Sequence, residues 1–163
     1  MADLKKESVR FIAVHCAATP PDLDIGAKEI REWHKARGWD EIGYHYFIRR
    51  EGTVEAGRPL DSQGAHVVGH NHEAVGICLV GGVKRVPDAD GQPDADGPRW
   101  DLIPDANFTA TQYASLEGLL YVLLKRFGGA AVRGHRDFPG VTKPCPCFNV
   151  REWWSARPSS EYP

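Results

Sequence analysis

Two histidines and one cysteine stand where the chain can present them to a single site. His15 and His135 each follow a strand-like run, at residues 9–14 and 130–133. Side chains at strand ends in α/β sheets commonly form functional sites, because the core fixes the backbone while the side chain emerges at the rim. Cys145 comes shortly after His135, in a loop that neighbouring prolines stiffen. The three side chains are therefore predicted to converge if the two strands are neighbours.

Two imidazoles and one thiolate are ligands that suit zinc, which favours tetrahedral coordination by nitrogen and sulfur. Three protein ligands leave a fourth position for water, as in catalytic rather than structural zinc sites. Zinc lowers the pKa of such a water from about 15.7 to about 7, so hydroxide is present at neutral pH. The pattern alone leaves another interpretation open, in which the histidines are structural and the cysteine is a small buried hydrophobic group.

The elements that must position these residues alternate irregularly between strands and helices. Apolar runs predict strands at residues 9–15, 43–48, 53–55, 75–80 and 130–133. Helical spacing of apolar residues predicts helices at residues 25–37, 109–127 and 150–156. We expect an α/β fold with a central mixed β-sheet flanked by helices on both faces.

Local signals mark the helix starts and one long loop. Asp24 is available to cap the first helix, and Thr109 with Gln112 forms a capping box at the start of the second. Residues 84–107 are rich in Asp, Pro and Gly and are predicted to form an exposed loop. Its alternating aspartates leave a calcium site open as an alternative, although the glycine and glutamate positions of an EF-hand loop are not met.

Composition limits the classes of protein that the chain can belong to. Its 163 residues fit one domain, and 42% hydrophobic with 26% charged residues is typical of a globular protein. A net charge of -2 predicts neither a nucleic-acid nor a membrane partner. The N-terminus shows no apolar segment of an export signal, and four cysteines are too few for a disulfide scaffold. We expect a monomer made in a reducing cytoplasm.

Taken together, these residues make the sequence resemble the zinc-dependent N-acetylmuramoyl-L-alanine amidases, most closely the small amidase-type endolysins of bacteriophages. The matching segments lie in the family's order at residues 11–19, 30–34, 38–39, 43–45, 50–58, 64–66, 70–72, 75–82, 107–109, 134–137 and 143–146. The resemblance implies a single domain over residues 1–163, similar to amidases and peptidoglycan recognition proteins, with its core at about residues 9–154.

The resemblance also implies a role for each site residue. It makes His15, His135 and Cys145 the ligands of one zinc ion per chain. It makes Tyr44 and Lys143 the residues that assist catalysis, Tyr44 by orienting water or relaying its proton and Lys143 by stabilising the oxyanion. The bond cleaved is the amide between the lactyl group of N-acetylmuramic acid and the first L-alanine of the stem peptide.

The other polar residues near these motifs receive less specific interpretations. His66 and Asn71 match a segment close to the family's cleft and are expected to contact substrate. Cys147 stands where many relatives have Gly or Ser, and we expect an unbridged thiol near the site. Cys16 and Cys78 are predicted to be buried thiols. The remaining histidines are predicted to be structural or surface residues: His34, His45, His70 and His72.

Function follows from the resemblance, with three alternatives open. An endolysin would accumulate in the host cytoplasm and reach the cell wall through a separately formed membrane pore. A recycling amidase would act instead on soluble muropeptides in the cytoplasm. A peptidoglycan-binding module would lack catalysis, but such relatives often lose the cysteine ligand, which Cys145 supplies here. Some phage relatives also bind and inhibit an RNA polymerase, so a regulatory partner of that kind is a further expectation.

Overall fold

A five-stranded mixed sheet forms the centre of the molecule. The computed structural model describes residues 2–87 and 100–157. Its strands are β1 (Phe11–Cys16), β2 (Tyr46–Ile48), β3 (Val54–Ala56), β4 (Ala74–Leu79), β5 (Val83–Pro87), β6 (Trp100–Pro104) and β7 (Ala131–Gly134). The central sheet has the order β3-β2-β4-β1-β7, with only β2 and β3 antiparallel. The predicted mixed sheet is confirmed.

Helices cover both faces of this sheet, as the sequence predicts. They are α1 (Ala27–Ala36), α2 (Ala110–Arg126) and α3 (Val150–Ser155). Ile12 and Val14 of β1 pack in one core with α2, whereas Phe47 of β2 packs in a second core with Ile30 of α1. Because both faces are covered, β1 and β4 are apolar almost throughout. No helix within the described ranges is long and apolar enough to cross a membrane.

The start of α1 corrects the predicted cap. Gly26, not Asp24, is the N-cap, and its N–H donates to the Glu29 carboxylate at 2.8 Å. The Asp24 carboxylate instead accepts a hydrogen bond from the Arg49 guanidinium at 3.0 Å. The helix therefore begins at Ala27, two residues later than predicted. The reason is that the Glu29 carboxylate caps the chain at Gly26.

The capping box of α2 is confirmed. The Thr109 hydroxyl accepts the Gln112 N–H at 3.1 Å, and the Gln112 amide oxygen accepts the Thr109 N–H at 3.1 Å. The amide nitrogen of Gln112 also donates to the carbonyls of Ile48 and Val80. One buried side chain therefore both caps α2 and fixes the helix to strand β2 and to the residue after β4.

A second small sheet replaces part of the predicted loop. Strands β5 and β6 pair antiparallel, Val83 opposite Pro104 and Lys84 opposite Ile103. The loop prediction is therefore wrong at residues 84–87 and 100–104, which form strands. Backbone hydrogen bonds between the two segments form strands there, and the Asp-, Pro- and Gly-rich composition of the segment does not predict them. Residues 88–99, with the duplicated aspartates and the calcium alternative, lie outside the described residues.

Candidate active site

Strand β1 and strand β7 bring the three candidate ligands together. The two strands are adjacent and parallel, so His15 near the end of β1 and His135 directly after β7 emerge at the same edge. Their ring centroids are 4.5 Å apart. Cys145 Sγ lies 4.0 Å from His15 Nδ1, and the ligand atoms of all three residues lie within 4.8 Å of one another. The predicted convergence of the three side chains occurs.

Main-chain hydrogen bonds fix Cys145 from strand β1 and from the turn that follows β7. The N–H of Cys16 donates to Cys145 Sγ at 3.3 Å, and the N–H of Arg136 donates to the Cys145 carbonyl at 2.8 Å. Each donor comes from the residue directly after a candidate histidine ligand. The two hydrogen bonds therefore hold the cysteine loop in a fixed position relative to both histidines.

The donor set fits a tetrahedral zinc ion. Zinc takes nitrogen at about 2.0–2.1 Å and sulfur at about 2.3 Å, so tetrahedral ligand atoms lie roughly 3.3–3.7 Å apart. The observed spacing needs a contraction of about 1 Å. Burial, followed by the neighbouring His66 and His135 rings, holds the pKa of His15 well below its usual value. Burial and then Lys143 lower the pKa of His135. Both imidazoles are therefore neutral at pH 7, as metal ligands must be.

A cleft of about 540 Å³ opens over these ligands, and both predicted catalytic residues line it. The Tyr44 ring lies 5.2 Å from the His15 ring, centroid to centroid. Burial, followed by the neighbouring Cys78 and Cys145 thiols, raises the pKa of Tyr44 well above its usual value. Its hydroxyl therefore keeps its proton at neutral pH. Lys143 is exposed and makes no ion pair within the described part of the chain.

His66 and Asn71 also line the cleft, and one polar atom of each side chain is bound within the protein. His66 Nδ1 lies 3.1 Å from His15 Nε2, within hydrogen-bond distance. The Asn71 side-chain oxygen accepts the backbone N–H groups of His66 and Val67, at 2.9 and 3.0 Å. Their contact with substrate stays a prediction. Nothing in the residue spacing indicates the bond between His66 and His15.

Four further histidines, predicted to be structural or surface residues, make the following contacts, and His34 among them also lines the cleft. His34 Nδ1 accepts the Gly43 N–H at 2.9 Å. His45 is buried between two backbone groups, accepting the Gly76 N–H at Nδ1 and lying 3.0 Å from the Ser62 carbonyl at Nε2. His70 pairs with Glu73 at the surface, and His72 is exposed.

All four cysteines are free thiols. Cys16 and Cys78 are buried, and Cys147 is unbridged near the site, as predicted. Cys147 Sγ lies 4.0 Å from Cys16 Sγ. The hydrogen bond between the Cys16 and Cys145 thiols, with burial, raises the pKa of Cys16 to about 12. The Cys16 thiol therefore stays protonated at neutral pH. Its backbone N–H donates the hydrogen bond to Cys145 Sγ.

The residues that line the cleft without a predicted functional role include Arg37, Trp39 and Val68. Val68 is 94% exposed, and Trp39 is 39% exposed. Arg37 and Lys143 are cations, and no aspartate or glutamate lies among the described residues that line the cleft. Arg37 and Trp39 follow directly on α1, so only the packing of that helix on the sheet brings them to the site.

The fold and the site together define a class of protein. It is an α/β domain with a mixed sheet, and an open cleft at the strand ends contains a candidate metal site of two histidines and one cysteine. The model of the N-acetylmuramoyl-L-alanine amidase family matches residues 5–148, and the chain belongs to that family. The chain is 44% identical over 150 residues to the endolysin of Klebsiella phage KP32, covering 92% of this chain and 88% of that protein. The predicted family and enzyme class are confirmed.

Solved structures agree with this assignment. The N-acetylmuramoyl-L-alanine amidase LysC from Clostridium intestinale URNW superposes with a TM-score of 0.68 at 25% identity, covering 94% of this chain and 87% of that chain. Bumblebee PGRP-SA superposes with a TM-score of 0.69 at 19% identity, covering 96% and 85% respectively, and shows the same fold. The chain is thus an enzyme that hydrolyses an amide bond of peptidoglycan.

Proposed function

We propose that the chain is a phage endolysin that hydrolyses the amide between N-acetylmuramic acid and L-alanine, using one zinc ion held by His15, His135 and Cys145. The observation that carries the proposal is the approach of three ligand atoms to within 4.8 Å, from segments far apart in a chain of the amidase family. Similarity to phage endolysins over 92% of the chain supports the lytic role.

Lys143 is proposed to stabilise the charge that develops on the substrate carbonyl. When bound, zinc would act as a Lewis acid and lower the pKa of a water bound to it to about 7. Attack of water on the amide carbon places negative charge on the carbonyl oxygen. The exposed Lys143 ammonium at the cleft can lie against that oxygen, and one preorganised donor of this kind is typically worth about 3 kcal/mol.

Tyr44 is proposed to move the proton that the leaving nitrogen needs. Because its hydroxyl stays protonated at neutral pH, it can donate a hydrogen bond to the attacking water or to the amide nitrogen. The carbon–nitrogen bond breaks as the nitrogen takes up a proton, and Tyr44 regains its own proton from the attacking water. The products are a lactyl carboxylate and a stem peptide with a new amino terminus on L-alanine.

We further propose that residues 1–163 act as one domain and as a monomer. A single central sheet with one helix layer on each face supports the first point. The enzyme would be made in the host cytoplasm and reach the wall after a separate membrane pore forms. Binding to an RNA polymerase stays a prediction.

Metal content and product analysis test the proposed function. Purified protein should contain about one zinc per chain, and digestion of sacculi should release new amino termini on alanine. New reducing sugar ends would instead indicate a glycosidase and contradict the proposal. Strong activity on intact sacculi, with weak activity on a small anhydro-muropeptide, would distinguish an endolysin from a recycling amidase. The lytic role also predicts lysis of permeabilised Gram-negative cells.

A further inference from the structure

The His66 ring lies against the candidate metal ligand His15 and is fixed from several directions. His66 Nδ1 is 3.1 Å from His15 Nε2, and the two rings meet edge to face at 5.0 Å. His45 meets the His66 ring in the same manner at 5.6 Å. Asn71 holds the His66 backbone through its N–H. The ring therefore has little freedom to turn toward a substrate.

Two glycines leave the space that this ring occupies. A Cβ at Gly76 would lie 2.6 Å from His66 Cδ2, and a Cβ at Gly64 would lie 2.7 Å from His66 Nε2. Neither glycine has a positive φ, so backbone conformation does not require glycine at these positions. Glycine is required at both positions because a side chain there would occupy the space of the His66 imidazole. The surrounding chain is thus shaped for His66 in this one position.

The hydrogen bonds of His66 are unequal. Its Nδ1 has His15 as partner, whereas its Nε2 is buried with no well-formed hydrogen bond. The bond at Nδ1 is therefore the well-formed hydrogen bond that a histidine supplies here and that an apolar residue would not. His15 Nδ1 faces Cys145 Sγ and needs its lone pair free to bind a metal ion, which places the His15 proton on Nε2.

We infer that His66 is a positioning residue, whose Nδ1 accepts the His15 Nε2–H and thereby aims His15 Nδ1 at the metal position. The inference rests on the proposed function, because it assumes that His15 is a ligand. Partners of this kind orient metal-bound histidines and fix their tautomer, and losing one typically lowers metal affinity about 10- to 100-fold. In this role His66 acts through His15, and the role does not require His66 to contact the substrate.

Nitrogen-15 NMR of the zinc-free wild-type protein tests the tautomer without any substitution. Two-bond correlations should place the His15 proton on Nε2, with a scalar coupling across the hydrogen bond to His66 Nδ1. A proton on His66 Nδ1, with Nε2 of His15 as acceptor, would overturn the inference. A merely structural packing role for His66 would produce no such coupling.

Two matched variants test the consequence for the metal. The side chains of Asn and Leu have nearly the same shape, but only H66N keeps an acceptor where Nδ1 lies. Competition with a chelator should show zinc binding weakened about 10- to 100-fold in H66L and largely retained in H66N. H72L, at an exposed histidine, serves as the control and should match wild type. Thermal unfolding of the zinc-free variants separates loss of folding from loss of affinity.

The outcomes separate this inference from the proposed function. Equal zinc affinity in H66L and wild type, or equally weak affinity in H66L and H66N, overturns the role of His66 alone. Wild-type protein that binds no zinc overturns the proposed metal site, while the NMR of zinc-free protein still reads the bond between His66 and His15. If H66L fails to fold, that spectrum decides the question.

Discussion

At the residue scale, the site depends on a cysteine that two backbone amides position. Cys145→Ser keeps the size of the side chain but replaces the soft thiolate with a weakly coordinating hydroxyl. We expect zinc content and amidase activity to fall together, because the site would lose one of its three protein ligands. Metal analysis and sacculus turbidity assays measure both. Cys147→Ser, the same change two residues away, should retain zinc, and loss of zinc in that variant would contradict the ligand assignment.

Lys143→Ala separates charge stabilisation from metal binding. Because the ammonium lies in the cleft and is not a metal ligand, we expect zinc content to stay at the wild-type level. The value of kcat should fall about 100-fold, as for loss of one oxyanion donor. Lys125→Ala, at an exposed position of α2, is the matched control. Loss of zinc together with activity would show that Lys143 supports the metal site instead.

The burial of His45 predicts that the stability of the fold depends on pH. Burial lowers its pKa from 6.5 to about 4, so between these values the unfolded chain binds a proton that the folded chain does not. The free energy of unfolding therefore falls as the pH drops from 6.5 to 4, by about 3 kcal/mol from this residue. Urea unfolding at several pH values should show a shallower fall in His45→Gln. Parallel profiles for the two proteins would exclude His45 as the cause.

At the element scale, side-chain caps decide where helices begin. The cap of α2 can be predicted from the sequence, whereas the cap of α1 cannot. The box of Thr109 and Gln112 is complete within four residues, so it is readable from the sequence. The start of α1 cannot be predicted in this way, because the Asp24 carboxylate accepts a hydrogen bond from Arg49. The Glu29 carboxylate instead accepts the N–H of Gly26. Strands β5 and β6 are equally hard to predict, since within the described residues each pairs with the other and the two are far apart in sequence.

Thr109→Ala tests the cap of α2. Its hydroxyl accepts the Gln112 N–H and lies 2.8 Å from the Arg50 carbonyl. We expect the free energy of unfolding to fall by about 1 kcal/mol, the usual effect of removing an N-cap. Chemical denaturation measures it, with Thr53→Ala at an exposed position as the control. Equal stability of the two variants would mean that the cap contributes nothing measurable.

At the scale of the whole molecule, the cleft carries positive charge although the chain as a whole does not. The net charge is -2, yet the cleft is lined by Arg37 and Lys143 without a described acidic residue. Local charge of this kind attracts an anionic substrate whatever the sign of the total charge. The carboxylates of stem peptides are such a substrate.

Arg37→Glu tests this attraction. We expect KM for soluble muropeptides to rise about two- to fivefold with little change in kcat, because an exposed charge contributes about 1 kcal/mol or less. Added salt should narrow the difference, since exposed charges are screened. Arg151→Glu on α3 changes the net charge equally and should leave KM unaltered. A fall in kcat instead would place Arg37 in the chemical step.

The sequence by itself determined the class of fold, the family and the candidate ligands His15, His135 and Cys145, because strand periodicity and strand-end motifs are local properties of the chain. Only the tertiary structure decided which groups serve those ligands. The His66 ring and the Cys16 amide reach their partners across 51 and 129 positions of chain. Such bonds depend on the register between strands and on the direction of each donor, and residue spacing specifies neither.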